Sequence, residues 1–543
     1  MSSNDYSSLN VLIVDDFHNF RRALAKNMYE LDFRHIDTAC TGEEAIGYCR
    51  KQHYDLILCD YNLGPGKNGQ QLLEELRAYG HIRPGDIFML ISADTSRNVV
   101  MCSYDCEPDA FLTKPITGKV LEQRVNRIAA QRKHLRGIYN NIEAEDYTTA
   151  IFLLEQEVEQ QSRYAVDCQK MLGELYIQQQ QYDQAEELYQ TVLAVRELDW
   201  ALVGLANVVM ERGNTGQAMM ALEQILDNNP GYLKAYDSLS KACVLTDDND
   251  KLQYVLERAA EVSPMSTGRQ KQLAQTALDN GNVELAVEAY KKTIKYGTTS
   301  HHDTPDNHLN FARAITKVFD NDIDKAKEFS REAALLLTNL DKNYEINKQQ
   351  QAQAKLLNSQ IHALEGDVQK SKVLLSEAEG MIDDEMEKNI DTDIEIVNAL
   401  IAADRRAEAT TILKQLVEHY CDNQEALEKL DPLLDEPVSI KGKKTIAKIN
   451  KRGISAYQEK DYHTSIDYFV RAQKKFPRYI GLKLNLIQAM IGFMRDNDMN
   501  DDYVAQCKAI FKVIDRYITP TSEQFTRYKQ LQAMLRQLTH SYD

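Results

Sequence analysis

The chain has 543 residues, which is enough for several domains, and its hydrophobic content of 43% allows real cores. Its formal net charge of −18 argues against a broad nucleic-acid surface, because such surfaces neutralise phosphates with cationic side chains. The N-terminal residues lack the basic start and apolar core of a signal peptide, and no stretch approaches the roughly 20 apolar residues that span a bilayer. The nine cysteines form no CxxC pair, so we expect a cytoplasmic protein with reduced thiols and no membrane insertion.

The first 135 residues alternate between short apolar runs and helical stretches. Apolar runs of strand length occupy residues 9–14, 34–39, 55–59, 86–92 and 109–113. Apolar residues spaced three and four apart predict helices between them. Thr41 precedes Glu44 by three residues, which predicts a capping box at the start of the second helix. The alternation predicts an α/β doubly wound, five-stranded parallel sheet with helices on both faces.

Polar residues lie where four of these strands end. Asp15 and Asp16 follow the first strand, Asp60 the third, Ser92 ends the fourth and Lys114 follows the fifth. Because the carboxyl ends of parallel strands share one edge of the sheet, we expect these side chains to converge. Clustered carboxylates repel each other unless a cation lies among them, and oxygen ligands of this kind suit Mg²⁺.

Such a cluster has a chemical use. A carboxylate can attack a phosphoryl group as a nucleophile and form an acyl phosphate. A metal ion, the ammonium of Lys114 and the hydroxyl of Ser92 can then share the charge on the transferred oxygens. Asp60 ends a buried strand, which is where open α/β sheets place their chemistry.

This set of residues resembles the receiver domain (CheY-like, with a flavodoxin-like sheet) of bacterial two-component response regulators. The resemblance covers residues 8–135 and is carried by Val14-Asp15-Asp16, Asp60, Ser92-Ala93 and Lys114-Pro115. It implies that Asp60 is the phosphoacceptor for a phosphohistidine donor, either a histidine kinase or a phosphotransfer protein. It also implies no enzymatic activity beyond slow autodephosphorylation.

The resemblance further implies a metal site and a conformational switch. Asp15, Asp16 and Asp60, with the main-chain carbonyl of Asn62, are expected to hold Mg²⁺. Phe111 matches the aromatic switch position and is expected to turn inward as Ser92 moves toward the phosphoryl group. These roles are carried over from the family to the matching positions of this sequence.

The rest of the chain is repetitive. Leu172-Gly173, Leu205-Ala206, Leu239-Ser240 and Leu273-Ala274 are separated by 33, 34 and 34 residues. The order of small residues, an aromatic or Leu, and Pro resembles tetratricopeptide (TPR) repeats, which implies an all-α superhelical solenoid. We predict well-matched repeats at 136–300, divergent helical repeats at 301–440, and a C-terminal unit with capping helices at 441–543. The last helix of the first domain continues toward the repeats without a flexible linker.

A TPR array presents a surface that binds proteins or peptides. The positions predicted to face a partner are Lys170, Glu174, Asn207, Asp237, Lys241 and Gln275. Their mixed charge suits a peptide groove, although solvated helix faces have the same composition. The loop after the fourth well-matched unit contains His301-His302-Asp303, which is either a metal site or a solvated turn.

Three functions are compatible with this organisation. The first is a phosphorelay response regulator in which Asp60 controls how the TPR surface binds a partner, for example a signalling enzyme or a second response regulator. The second is a phosphate sink that drains a shared histidine kinase. The third is a constitutive scaffold with an inactive receiver. No helix-turn-helix follows the receiver, so DNA binding is not expected, while a homodimer is compatible with the sequence.

Overall fold

The computed structural model describes residues 6–318, 323–382, 388–515, 518 and 523–540. They form two compact units. The first contains the residues up to Thr276 together with Glu288–Asn307, and the second contains Ala277–Val287 and the residues from His308 onward. Among the helices described, none has the length and apolar character required to cross a bilayer.

A five-stranded parallel sheet forms the start of the first unit, as predicted. Its strands are β1 (Asn10–Val14), β2 (His35–Ala39), β3 (Leu56–Asp60), β4 (Ile87–Ser92) and β5 (Ala110–Thr113). Their order in the sheet is β2-β1-β3-β4-β5, and every pair is parallel. The helices of this domain are α1 (His18–Glu30), α2 (Gly42–Cys49), α3 (Gly69–Ala78), α4 (Arg97–Asp105) and α5 (Gly118–His134). The fold class predicted for this part of the chain is therefore confirmed.

Two apolar layers cover the two faces of the sheet. One layer packs Leu24 and Met28 of α1 and Leu121 and Val125 of α5 against the sheet. The other brings α2 and α3 onto the opposite face. The central strand β3 is buried along its whole length, whereas the edge strand β2 is half exposed. Burial on both faces explains why the central strands are continuous apolar runs.

The second helix begins differently from the prediction. The hydroxyl of Thr41 accepts a hydrogen bond from the amide of Glu44 at 3.2 Å. The carboxylate of Glu44, however, accepts from the amide of Cys40 at 2.7 Å, one residue earlier than in a capping box. Both interactions give a hydrogen-bond acceptor to an amide group at or just before the start of the helix. The helix end is therefore capped as in a capping box, except that Glu44 accepts from Cys40 and not from Thr41.

The remainder of the described chain is helical. The helices in the first half of this region are α6 (Arg136–Glu143), α7 (Tyr147–Glu159), α8 (Ala165–Gln178), α9 (Tyr182–Val195), α10 (Asp199–Glu211), α11 (Thr215–Asn228), α12 (Leu233–Leu245), α13 (Asn249–Val262), α14 (Thr267–Asp279), α15 (Val283–Gly297), α16 (Pro305–Val318) and α17 (Ile323–Thr338). Those in the second half are α18 (Leu340–Asn343), α19 (Lys348–Glu365), α20 (Val368–Glu379), α21 (Ile390–Ala402), α22 (Arg406–His419), α23 (Gln424–Leu430), α24 (Ile440–Gln458), α25 (Tyr462–Lys475), α26 (Ile480–Asp496), α27 (Asp501–Ile514) and α28 (Phe525–His540). Between α5 and α6 the chain breaks only at Leu135, which is buried, so the junction has no flexible linker.

Small residues let paired helices approach closely where the repeat pattern requires it. A Cβ added to Gly173 would lie 2.6 Å from Cζ of the Tyr189 ring, and one added to Gly204 would lie 2.3 Å from the same atom. Tyr189 of α9 is thus held between α8 and α10. In the second unit Gly453 has the same relation to Phe469, with a Cβ at 2.6 Å from the ring. Close contact of this kind explains the alternation of small and large residues in the repeats.

Candidate functional site

Three carboxylates meet at the carboxyl end of the sheet, where the sequence predicted them. Oxygen atoms of Asp15, Asp16 and Asp60 all lie within 4.8 Å of one another. Asp15 and Asp60 are buried, whereas Asp16 is exposed. The juxtaposition follows from the pairing of β1 with β3, which places the ends of these two strands side by side.

Lys114 completes the cluster from the end of β5. Its Nζ donates hydrogen bonds to Oδ2 of Asp15 and to Oδ2 of Asp60, both at 2.9 Å. The same atom lies 4.1 Å from the centre of the Phe20 ring. Although burial opposes the charged form, the two carboxylates raise the pKa of Lys114, so the group stays an ammonium. Phe20 was not predicted from the sequence, because an aromatic residue on α1 gives no local signal of a cation contact.

Burial dominates the ionisation of Asp60. It raises the pKa of this carboxyl to about 6, with Lys114 opposing the shift and Asp15 and Asp16 adding to it. Lys114 alone therefore does not offset the desolvation and the repulsion of two further carboxylates. A set of three carboxylates, two of them buried, is the donor chemistry that a hard divalent cation such as Mg²⁺ prefers. The residues present fit a magnesium ion.

The other predicted site residues are Ser92, Phe111 and Asn62, and each has different surroundings. Ser92 is buried, and its hydroxyl accepts from the amide of Asp94 at 3.0 Å and donates to the Asp94 carbonyl at 3.2 Å. Phe111 is half-buried and packs against the apolar layer beside α3. Asn62 is exposed, and its side-chain oxygen accepts from the amide of Gly64 at 3.2 Å. The switch roles of Ser92 and Phe111, and the metal role of the Asn62 carbonyl, stay predictions.

A glycine supports the backbone of Asp60. Gly69 starts α3, and its amide donates to the carbonyl of Tyr61 at 2.8 Å. A Cβ at Gly69 would lie 2.3 Å from the carbonyl oxygen of Asp60 and 3.0 Å from Sγ of Cys59. Only a residue without a side chain allows the helix to approach the end of β3 this closely.

Gly69→Ala is expected to damage both stability and the site. We expect a loss of about 1–3 kcal/mol, as for other overpacked positions, because the Asp60 backbone must shift. Hydrogen exchange of β3 in increasing urea measures the free energy of unfolding. Incorporation of phosphate from acetyl phosphate measures whether Asp60 still accepts a phosphoryl group. Gly47→Ala in α2 is the matched control, since nothing lies within 4 Å of its added Cβ. We expect that change to stabilise α2 by about 0.5–1 kcal/mol. Equal losses in both variants would contradict the packing argument.

Comparison with known proteins identifies the domains to which these parts of the chain are similar. Residues 11–126 match the model of the response regulator receiver domain, and residues 141–203 match a tetratricopeptide repeat model. The N-terminal domain is a receiver domain, and TPR repeats follow it. Chemotaxis protein CheY-3 of Vibrio cholerae is 27% identical over 121 residues, which cover 22% of this chain and 92% of that protein. CheY of Pseudomonas aeruginosa is 27% identical over 120 residues, covering 22% of this chain and 95% of that protein.

Two solved structures are similar to separate parts of the chain. A CheY-like receiver domain from Methanospirillum hungatei covers 23% of this chain and 98% of its own, with 22% identity and a TM-score of 0.22. A tetratricopeptide repeat protein from Parabacteroides merdae covers 49% of this chain and 97% of its own, with 13% identity and a TM-score of 0.27. The resemblances predicted from the sequence are confirmed by the receiver and TPR matches.

The positions predicted on the partner-binding surface are distributed over four TPR helices. They are Lys170 and Glu174 in α8, Asn207 in α10, Asp237 and Lys241 in α12, and Gln275 in α14. Among the described residues, close polar partners are found for three of these positions. Asp237 pairs with Arg269 at 2.6 Å, Lys241 pairs with Glu211 at 2.8 Å, and Gln275 accepts a hydrogen bond from Tyr290 at 3.0 Å. Their role in partner binding stays a prediction.

The receiver itself contacts the repeats through the end of α4, which the sequence did not reveal. Arg269 of α14 donates to both carboxylate oxygens of Asp105, at 2.7 and 3.1 Å, and also to Asp237. Ser263 donates to Asp105 at 3.0 Å and lies 3.2 Å from the thiol of Cys102. The bidentate pair between the Arg269 guanidinium and the Asp105 carboxylate is mostly buried. Its geometry fixes how the end of α4 is positioned against α14.

Helix α3 makes a second contact with the repeats. Its Gln71 side chain donates to the carbonyl of Tyr296 at 2.8 Å, and Lys67, just before the helix, donates to the carbonyl of Thr299. Both acceptors belong to the end of α15 and the loop that follows it. Polar contacts at α3 and at the end of α4 therefore join the receiver to this part of the repeats, in addition to the α5–α6 junction.

Proposed function

We propose that this protein is a phosphorelay response regulator in which phosphorylation of Asp60 controls the binding of a partner protein to the TPR region. The observation that carries the proposal is the pair of hydrogen bonds from Lys114 to Asp15 and Asp60 within the carboxylate cluster. The phosphoryl donor is a histidine kinase or a phosphotransfer protein. We place the receiver at residues 8–135 and the protein in the cytoplasm.

The placement of these groups supports transfer of a phosphoryl group to Asp60 in one step. An oxygen of the Asp60 carboxylate attacks the phosphorus of a phosphohistidine, an oxygen–phosphorus bond forms, and the phosphorus–nitrogen bond breaks with its electron pair passing to the imidazole. The ammonium of Lys114 lies where it can pair with a phosphoryl oxygen. Slow hydrolysis of the acyl phosphate resets the receiver.

A magnesium ion fits the chemistry of the same cluster. Asp15, Asp16 and Asp60 would hold it, together with the main-chain carbonyl of Asn62 as the family resemblance implies. When bound, Mg²⁺ supplies positive charge to the transferred oxygens. The residues of the chain contribute the nucleophile, the ammonium and the buried environment that keeps bulk water from Asp60.

In this proposal, the affinity of the TPR region for its partner changes because the receiver changes its contacts with the repeats. Ser92 and Phe111 are the residues that would report the state of Asp60 to the surface formed by α4. Because α4 contacts the repeats through Asp105 and Arg269, two receiver conformations would differ in their contact free energy with the TPR region. The partner is a protein, for example another signalling enzyme or response regulator, which the TPR surface then binds with altered affinity.

The experiment that tests this function compares partner recovery in two phosphorylation states. Wild-type protein and Asp60→Asn are each incubated with Mg²⁺ and acetyl phosphate and then used to capture proteins from a native lysate, with mass spectrometry as the measurement. We expect at least one protein whose recovery by the wild type changes on phosphorylation but whose recovery by Asp60→Asn does not. Equal recovery in both states would contradict the proposal and favour a phosphate sink.

A further inference from the structure

A cluster of metal-ligating side chains lies between the receiver and the TPR repeats, away from the phosphorylation site. Ligand atoms of Glu74, His301 and His302 all lie within 4.8 Å of one another. Glu74 belongs to α3 of the receiver, and the two histidines belong to the loop after α15. Nε2 of His302 is 3.7 Å from Oε2 of Glu74, and the two imidazole rings are 3.8 Å apart.

We propose that Glu74, His301 and His302 form a zinc site that fastens the receiver to the TPR repeats. Two imidazoles and a carboxylate are a ligand set that Zn²⁺ takes in proteins, whereas Mg²⁺ and Ca²⁺ prefer oxygen atoms alone. Atoms that each lie about 2 Å from one zinc ion lie within about 4 Å of each other, so the three ligand atoms need to approach by only about an ångström. The inference stands independently of the function proposed for Asp60.

The carboxylate is already oriented for this role. Oε1 of Glu74 accepts hydrogen bonds from Gln70 at 3.1 Å and from the thiol of Cys106 at 2.9 Å. The other oxygen, Oε2, is the one that faces His302. Contacts that hold one carboxylate oxygen and leave the other directed at the metal are typical of built metal sites.

The histidine loop is also held in place. The amide of His302 donates to the hydroxyl of Ser300 at 3.1 Å, and its carbonyl accepts from Asn307 at 2.6 Å. Nδ1 of His301 is buried and has no hydrogen-bond partner among the described residues. Buried ring nitrogens normally have a partner, and a metal ion would supply one here.

The residues around Glu74, His301 and His302 leave the cluster accessible to a cation and carry negative charge that attracts it. The cluster lines an open cleft of about 640 Å³. The charged residues of the lining, apart from the histidines, are four carboxylates and two guanidinium groups, namely Glu74, Asp105, Glu107, Asp237, Arg77 and Arg269. The cleft therefore gives a cation an entry path and a surplus of negative charge.

The test is a zinc titration of the full chain without an affinity tag. Metal-free protein is titrated with Zn²⁺ against a chromophoric chelator, in excess Mg²⁺ so that the acidic cluster at Asp60 is occupied. We expect one zinc ion per chain for the wild type. His301→Ala/His302→Ala and Glu74→Gln should each weaken binding by more than about 100-fold, because loss of a residue that merely orients a ligand already costs about 10- to 100-fold.

His35→Ala is the matched control, since this histidine is exposed at the start of β2. It should bind zinc like the wild type, and circular dichroism should show that all variants are folded. Zinc should also slow hydrogen exchange in α3 and in residues 297–304 of the wild type but not of the double variant. Absence of zinc binding by the wild type, or unchanged binding by the double variant, would overturn the proposal.

Discussion

Asp60→Asn should abolish incorporation of phosphate from acetyl phosphate in the presence of Mg²⁺, while the wild type is labelled. The amide is nearly the same size as the carboxylate but is not a nucleophile toward phosphorus. It also removes one charge from a cluster that Lys114 bridges at 2.9 Å, so the fold is expected to tolerate the change. Phosphate-affinity electrophoresis or intact-mass measurement gives the phosphorylated fraction directly.

Asp32→Asn is the matched control for this experiment. Asp32 lies on the same domain with a positive φ of 76°, a conformation that Asn tolerates as well as Asp, and its side chain pairs with Arg34 at the surface. We expect its labelling to equal that of the wild type. Label on Asp60→Asn at the wild-type level would show that the acceptor is another residue, and absence of label on all three proteins would show an inactive receiver.

Arg269→Ala should release the end of α4 from the repeats. The Arg269 side chain is 10% exposed and that of Asp105 is 13% exposed, so the substitution leaves a buried carboxylate without its cation. Breaking a buried pair in this way costs about 3 kcal/mol, at the low end of the usual range because Asp237 is half exposed. We expect amide protection in α4 to fall by about 100-fold, as measured by hydrogen exchange, while β1 and β3 keep their protection.

Two further variants isolate the charge pair. Arg258→Ala removes an exposed guanidinium from α13 that lies 3.7 Å from Glu261, and it should leave α4 protected. Adding Asp105→Asn to Arg269→Ala removes the unpaired carboxylate and should restore part of the protection. If the single variant and Arg258→Ala behave alike, the contact does not hold α4. By linkage, if docking of the receiver depends on the state of Asp60, the phosphorylated fraction of Asp60 at equilibrium with its donor should differ between Arg269→Ala and the wild type.

The main residues of the candidate site at the carboxyl edge of the sheet could be predicted from the sequence for a physical reason. Strand ends in a parallel sheet share one edge, so the positions of Asp15, Asp60 and Lys114 in the chain were enough to predict that they meet. The repeat spacing likewise predicted the helical region, because small residues recur where Tyr189 and its equivalents must fit.

Other features of the structure could not be predicted, because no local sequence pattern indicates them. Asp105 and Arg269 are 164 residues apart, and neither lies in a sequence motif from which the other could be identified. Helix α4 was predicted only from the alternation of strands and helices, because its apolar residues form one consecutive run from Val99 to Cys102 and lack helical spacing. The contact of Lys114 with Phe20 and the hydrogen bonds of Ser92 depend on side-chain rotamers, which sequence spacing does not determine.

The contact between α4 and the repeats has a consequence for how such proteins can be recombined. A receiver taken from another response regulator would need a carboxylate at the position of Asp105 to pair with Arg269, in addition to the residues at the carboxyl edge of its sheet. In this chain Asp105 and Arg269 must be inherited together, because either residue alone leaves a charge facing its former partner's surface. The receiver therefore cannot be exchanged by itself for that of another protein. In a functional chimera the two sequences would have to be joined within the repeats, so that Asp105 and Arg269 come from the same protein, and not at the end of α5.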